Sequence, residues 1–436
     1  MKKLLCLAAA LLLFTSVISG CSHSEKSTAK STSSSHKDGQ ITLKFIHRWP
    51  KEPERSYFAS VVKEFEKENP NIHVQTEAVL NDAYKEKIRV LAGTNHPPDI
   101  FYSWSGEFAD KFVRGGKALD LTPYYEKDKA WSSRLAQSQI SPFTFNGKIY
   151  GVPLFMDGKT FFYNKNIFHK LHLDPPKSYN QLIEDSKVIK SKGYIPIAFG
   201  DKAPWAIAHY IGTLNQRMVP QSVLKKDYNR KTGTFTNPEY VKALEKLKEL
   251  NPYFNKDVNA MDHEFARQMF NDGKAAMMFL ETNEISLVEP DIHFKLGFFD
   301  LPGIEGGQGR ADIMSGAPEG FMISSKTQHP EAAMKFLEFL TNKKNGQKLV
   351  KDAGYLSPVD GALTKDNSTK AMRDAATQVK NSKDMAEWLD SALDIRIVNA
   401  YLEGAQMMLN GDMTPEEVMK GVQKAAKSVR ELANVK

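Results

Sequence analysis

The chain has 436 residues, 41% hydrophobic and 25% charged, with a formal net charge of +7, two of whose charges belong to Lys2 and Lys3. That length allows two domains with full-sized cores, and the composition is that of an ordinary globular protein rather than a disordered, collagen-like or disulfide-dense one. Lys and Glu are interleaved along the chain, with no arginine-rich arm and no RNA-binding aromatic motif, so nucleic acid is not expected as a partner.

At the N-terminus Lys2 and Lys3 precede an apolar run from Leu4 to Phe14, too short to span a bilayer as a permanent helix. Ile18-Ser19-Gly20-Cys21 follows. This arrangement resembles a bacterial lipoprotein signal, which implies a signal peptide over residues 1–20 and lipidation of Cys21. The protein is then expected on the extracytoplasmic side of the cell membrane, held by acyl chains whose burial contributes roughly 0.8 kcal/mol per CH₂. The plain alternative is a secretory signal beside a stray cysteine. The only cysteines are Cys6 and Cys21, so the body beyond residue 21 has neither disulfide nor thiol chemistry. Residues 21–40 are Ser-, Thr- and Lys-rich with no large apolar residue, the composition of a flexible tether.

Folded structure is predicted to begin at Ile41, where Ile41, Leu43 and Phe45 alternate with polar residues as in a strand. Phe58, Val61, Val62 and Phe65 then mark one face of a helix stopped by Asn69-Pro70. NIHVQTEAV reads as a second strand, Tyr84–Leu91 as a second helix, and Asp99–Tyr102 as a third strand after Pro97-Pro98. Alternating strands and helices predict an α/β fold with a parallel sheet. The rhythm continues with helices at about 177–191, 237–250 and 262–272 and strands at Ala275–Phe279, Lys295–Leu301 and Gly320–Ser324. An amphipathic helix runs from Pro330 to about Asn342, and Thr414-Pro415-Glu416-Glu417 opens a C-terminal helix with a capping box.

Several pieces, in order, resemble one family. They are Pro70-Asn71-Ile72-His73-Val74, Pro97-Pro98-Asp99-Ile100, Ala118–Tyr124, Asn146-Gly147-Lys148-Ile149-Tyr150-Gly151-Val152-Pro153, Phe162–Phe168, Gly273–Met277 and His329–Ala333. The family is that of extracellular solute-binding proteins of carbohydrate ABC importers, related to maltose-binding protein. The resemblance implies a two-lobed, periplasmic-binding-protein-like α/β fold with hinge-connected lobes and a ligand cleft between them. It places an N-terminal lobe at 41–153, with about 315–360 returning to it, and a C-terminal lobe at 154–314, with about 361–436. It also implies an ABC permease partner and a hinge-bending monomer.

A sugar offers hydroxyls at its edge and C–H patches on its faces, so a site for it needs carboxylates or amides together with aromatic rings. Trp49 and Trp104 stand just beyond predicted strands, where open α/β sheets place ligands, and Glu107 follows close behind. Each Trp could instead cap the core. Asp157, just past the lobe-crossing motif, is a candidate edge contact or a solvated loop aspartate, and Trp205 a stacking platform or a packing residue. Glu281 ends the apolar strand AAMMF, where many relatives have a glycine and a tryptophan shortly after, which suggests a polar contact here. Gly316 and Ala317 lie in a small-residue turn that lets backbone approach a ligand. Trp388, in KDMAEWLDSAL, is a weaker candidate that could equally be the buried face of a helix, and a core position is favoured.

No metal or cofactor is expected: His169 and His172 lack a third ligand nearby, and the Gly303–Gly309 run has no following Gly-Lys-Ser/Thr. The expected function is capture of an oligosaccharide or sugar derivative for import, without catalysis. The alternatives are an exported lipoprotein glycoside hydrolase, which needs two carboxyls at roughly 5–9 Å, and a binder of a non-sugar solute.

Overall fold

The computed structural model describes residues 40–135, 137–382 and 384–435; the expected signal, Cys21 and the tether up to residue 39 lie outside the described residues. The first strand, β1 (Ile41–His47), buries Leu43 and Phe45 and exposes Lys44, as its alternation requires. After α1 (Glu54–Glu68), β2 (Ile72–Ala78), α2 (Asn81–Gly93) and β3 (Ile100–Trp104), β1 has β2 and β3 as parallel neighbours. β3 is buried at every position, the pattern of a strand covered on both faces. α3 (Glu107–Arg114) follows directly, and β4 (Val152–Phe155) closes one side of the sheet.

The chain then leaves for a second sheet. Its elements are β5 (Lys159–Asn164), α4 (Tyr179–Ser191), β6 (Ile195–Ala198), α5 (Trp205–Met218), α6 (Glu239–Leu250), α7 (His263–Asn271), β7 (Ala275–Glu281) and β8 (Leu296–Phe299). The strand order is β8-β5-β7-β6. From β9 (Ile313–Ser315) the chain returns as β10 (Glu319–Ile323), which inserts between β3 and β4, antiparallel to both, giving β2-β1-β3-β10-β4. α8 (Pro330–Leu340) packs on this first sheet. The remaining elements, α9 (Lys370–Asn381), β11 (Asp384–Ala386), α10 (Leu389–Ala392), α11 (Ile395–Asn410) and α12 (Pro415–Asn434), follow, and β11 pairs with β9.

Each sheet has its own core. In the first, Phe45 meets Phe321 and Phe336 at centroid distances of 4.9 and 5.1 Å. In the second, Phe161 stacks on Phe299 at 5.0 Å amid Leu214, Leu244 and Tyr401. The capping box at α12 is formed: the Thr414 hydroxyl accepts from the Glu417 amide and Glu417 accepts from the Thr414 amide at 2.8 Å. Such a cap stabilises a helix by about 1 kcal/mol.

The segments joining the lobes lie side by side. Met156 N–H donates to Leu356 O at 2.7 Å, and Gly316 N–H donates to Ala386 O at 2.8 Å. A Cβ on Gly316 would lie 2.3 Å from the Asp157 carbonyl oxygen, so glycine is required for these connections to pass.

Candidate ligand site

Two connected chambers open between the sheets. The inner one, about 60 Å³, sits beyond the carboxyl ends of β1 and β3, where strand ends leave loops free to carry ligand groups. Trp104 walls it from the end of β3, Trp205 from the start of α5, and Trp388, packed in the core of the first sheet, reaches it between them. The outer chamber, about 1020 Å³, shares Lys85, Trp205 and Asp390 with it.

Polar groups converge on the inner chamber from distant parts of the chain. Arg48, the first residue after β1, donates to Glu319 at 2.9 Å and to Asn81 at 3.1 Å. Its guanidinium also lies 4.9 Å from the Trp49 ring centre and 5.7 Å from that of Trp104. Tyr102 donates its hydroxyl to the same Glu319 carboxylate. Burial pushes the Glu319 carboxyl up, and Arg48 pulls it back. His209 stacks on Trp388 at 4.2 Å and lies 3.6 Å from Glu281; burial, then the Lys159 charge, drive its pKa well below the usual range, so it is neutral. Lys85 and Asp390 form an ion pair across the cleft at 2.5 Å, with the Lys85 ammonium 4.7 Å from the Trp104 ring centre.

The sequence-derived candidates separate into groups. Trp104, Trp205 and Glu281 line the inner chamber together. Glu107 lies on the outer chamber, paired with Arg114 at 2.8 Å. Trp49 lines neither: its indole N–H donates to the Tyr355 hydroxyl at 2.9 Å and its ring packs on Phe58, so it forms the base beneath Arg48. Asp157 is buried behind the chamber, accepting from the Thr282 hydroxyl at 2.8 Å and from Asn283. Burial, then the charges of Glu281 and Glu319, raise its carboxyl well above the normal range. Gly316 packs against the Asp157–Gly158 connection, and Ala317 belongs to the first core.

Trp388 is buried in the first core, as the sequence suggests, but it also lines the chamber, and it stands not on a helix face but at the N-cap of α10, beside the β11 pairing with β9. Arg48, Lys85, His209, Glu319 and Asp390 also line the inner chamber without having been singled out. Only adjacency to Trp49 could have flagged Arg48.

Residues 49–347 match the profile of the bacterial extracellular solute-binding proteins. The chain belongs to that family. Among its relatives is the multiple sugar-binding protein of Streptococcus mutans, 27% identical over 357 residues that cover 78% of this chain and 80% of the relative. Another is an uncharacterized ABC transporter extracellular-binding protein of Pyrococcus horikoshii, 27% identical over 399 residues and covering 87% of each chain. A solved structure from work on xylan utilization by the thermophilic bacterium Caldanaerobius polysaccharolyticus superposes with a TM-score of 0.81 at 27% identity, covering 88% of this chain and 99% of that one. These likenesses fit a binding protein built of two α/β lobes, and the two sheets described above are those lobes. Among the described residues no helix is long and apolar enough to cross a membrane.

Proposed function

We propose that this solute-binding protein captures an oligosaccharide outside the cell and delivers it to the permease of an ABC importer, as a monomer anchored through lipidated Cys21. The observation that carries this reading is the inner chamber, where three indoles face a space edged by Glu281, Glu319 and Asp390. Indole faces suit the C–H surfaces of a pyranose, and carboxylates suit its hydroxyls. The names of the sugar-binding relative and of the xylan-utilization structure support the same class of ligand.

The space itself implies motion. A volume of about 60 Å³ is far below the roughly 300–1,000 Å³ of a typical small-molecule site. A sugar ring enters only if the lobes part, rotating about the segments at Met156–Gly158, Gly316–Pro318 and Leu356, and then close again. The outer chamber is large enough for further sugar units. We place residues 41–153 with about 315–360 in the first lobe and 154–314 with about 361–436 in the second.

A thermal-shift screen against mono- and oligosaccharides tests the reading. A ligand of the folded state at a hundredfold excess over its Kd adds about 2.7 kcal/mol of apparent stability. A hit from one saccharide class, with no new reducing ends over hours, is the expected result. Sustained release of reducing ends would instead mark a hydrolase.

A further inference from the structure

The outer chamber has an uneven charge pattern. Four of its cations have close carboxylate partners: Lys85 with Asp390, Arg89 with Glu86, Arg114 with Glu107, and Lys202 with Asp262 at 3.1 Å. Two do not. The ammonium of Lys111, on α3, makes no hydrogen bond or ion pair among the described residues and rests 3.5 Å from the Phe108 ring centre. Arg230, on the second lobe, reaches Asp394 only at 3.9 Å, and that carboxylate is already held by Arg396 through two contacts of 2.9 Å. The Arg230 Nε is buried without an acceptor.

We propose that the outer chamber receives a negatively charged substituent of the ligand, a carboxylate or phosphoryl group, between Lys111 and Arg230, so that the cargo is an acidic oligosaccharide. This rests on the capture of a saccharide proposed above. An anion touching both side chains would tie one lobe to the other and favour the closed form. It would also supply the close acceptor that each cation lacks, in a partly buried place where such hydrogen bonds are strong. The chamber as it stands works against Lys111: burial, then the positive charges of Arg89 and Lys85, lower its pKa to about 7, with Glu107 and Glu86 opposing. Asp110, Arg114 and Glu387 complete the charged surroundings on or over α3, and Asp390 and Asp394 face it from the second lobe.

Titration calorimetry at pH 6 and pH 8.5 tests this, using matched oligosaccharides with and without uronate units (xylotriose and its glucuronosylated form, then pectin, alginate and hyaluronan fragments) beside sugar phosphates. At least tenfold tighter binding of the acidic member at pH 6 is expected, narrowing at pH 8.5 as Lys111 loses its proton. A preference for the sugar phosphates would keep the anion site and identify its ligand group as phosphoryl. Lys111→Met and Arg230→Gln should each bring the ratio of acidic to neutral affinity close to one, with the melting temperature of each variant confirming that it is folded. Neutral members binding as tightly as acidic ones, or Lys111→Met retaining the preference, would overturn the proposal. If no saccharide of either kind binds, the saccharide reading itself fails.

Discussion

Lys85 and Asp390, separated by 305 residues in the chain, meet at 2.5 Å and join the two lobes across the mouth of the inner chamber. Asp390 is largely buried and Lys85 partly so, which places the pair above the near-zero value of an exposed one. A hydrogen bond between charged groups contributes roughly 1.5–3 kcal/mol. Asp390→Asn should therefore shift the ligand-free equilibrium toward the open form by about tenfold to a hundredfold. Small-angle scattering should give a larger radius of gyration for the ligand-free variant than for the wild type, and matching radii once saccharide is bound. Equal ligand-free radii would show that the pair does not hold the lobes together.

Trp388 and Trp49 should differ on truncation in their effect on binding. Trp388→Ala removes one wall of the chamber as well as a core side chain, and should cost at least about 2 kcal/mol of binding, roughly thirtyfold, beside a loss of folding stability. Trp49→Ala opens a void among Phe58, Tyr102 and Phe155 and should cost about 3–5 kcal/mol of folding stability. Chemical denaturation and calorimetry on both variants separate the two effects.

Two buried carboxyls should contribute stability that is lost as pH rises from about 4 to 7, against the opposite trend of the buried neutral His47 and His209. Burial raises the carboxyls of Asp201 and Glu387 to about 7, above an unfolded value near 4. A raised acid favours the native state while it is protonated, so the contribution is largest below the unfolded pKa and is lost as pH climbs through the folded one. Asp201→Asn keeps an acceptor for the Ile207 amide at the start of α5 and removes the titration. Between pH 5 and pH 8 the melting temperature of this variant should rise relative to that of the wild type.

Gly316→Ala should perturb the connections between the lobes, because its methyl carbon would lie 2.3 Å from the Asp157 carbonyl oxygen. A lower melting temperature and slower saccharide association by stopped flow are expected. Wild-type values for both would mean that the neighbouring segment yields without cost.

The α/β rhythm was legible because it is local: alternation in ITLKFI and helical spacing from Phe58 to Phe65 each report on their own few residues. Trp104 and Trp205 were within reach for a related reason, since the ends of strands and starts of helices carry ligand groups in such folds. Pairing between distant segments was not legible. Nothing near Trp388 in the chain reveals that β11 joins β9, and nothing near Arg48 reveals Glu319, 271 residues away. Beyond β1, successive side chains take opposite sides, so Arg48 faces the cleft while Trp49 turns into the core; a one-residue difference in register separates ligand wall from packing.

The most direct test of the cleft as the ligand site is tryptophan fluorescence during titration with the saccharide that gives the largest thermal shift. Of the five tryptophans, Trp104, Trp205 and Trp388 line the chamber, Trp104 and Trp388 while also packed in the first core, and Trp49 and Trp131 line neither chamber. The wild type should show a saturable change in intensity and wavelength. A variant with all three chamber tryptophans replaced by Phe should lose that signal and bind at least tenfold more weakly by calorimetry. An unchanged signal and affinity in that variant would place the ligand elsewhere and contradict the assignment of the cleft.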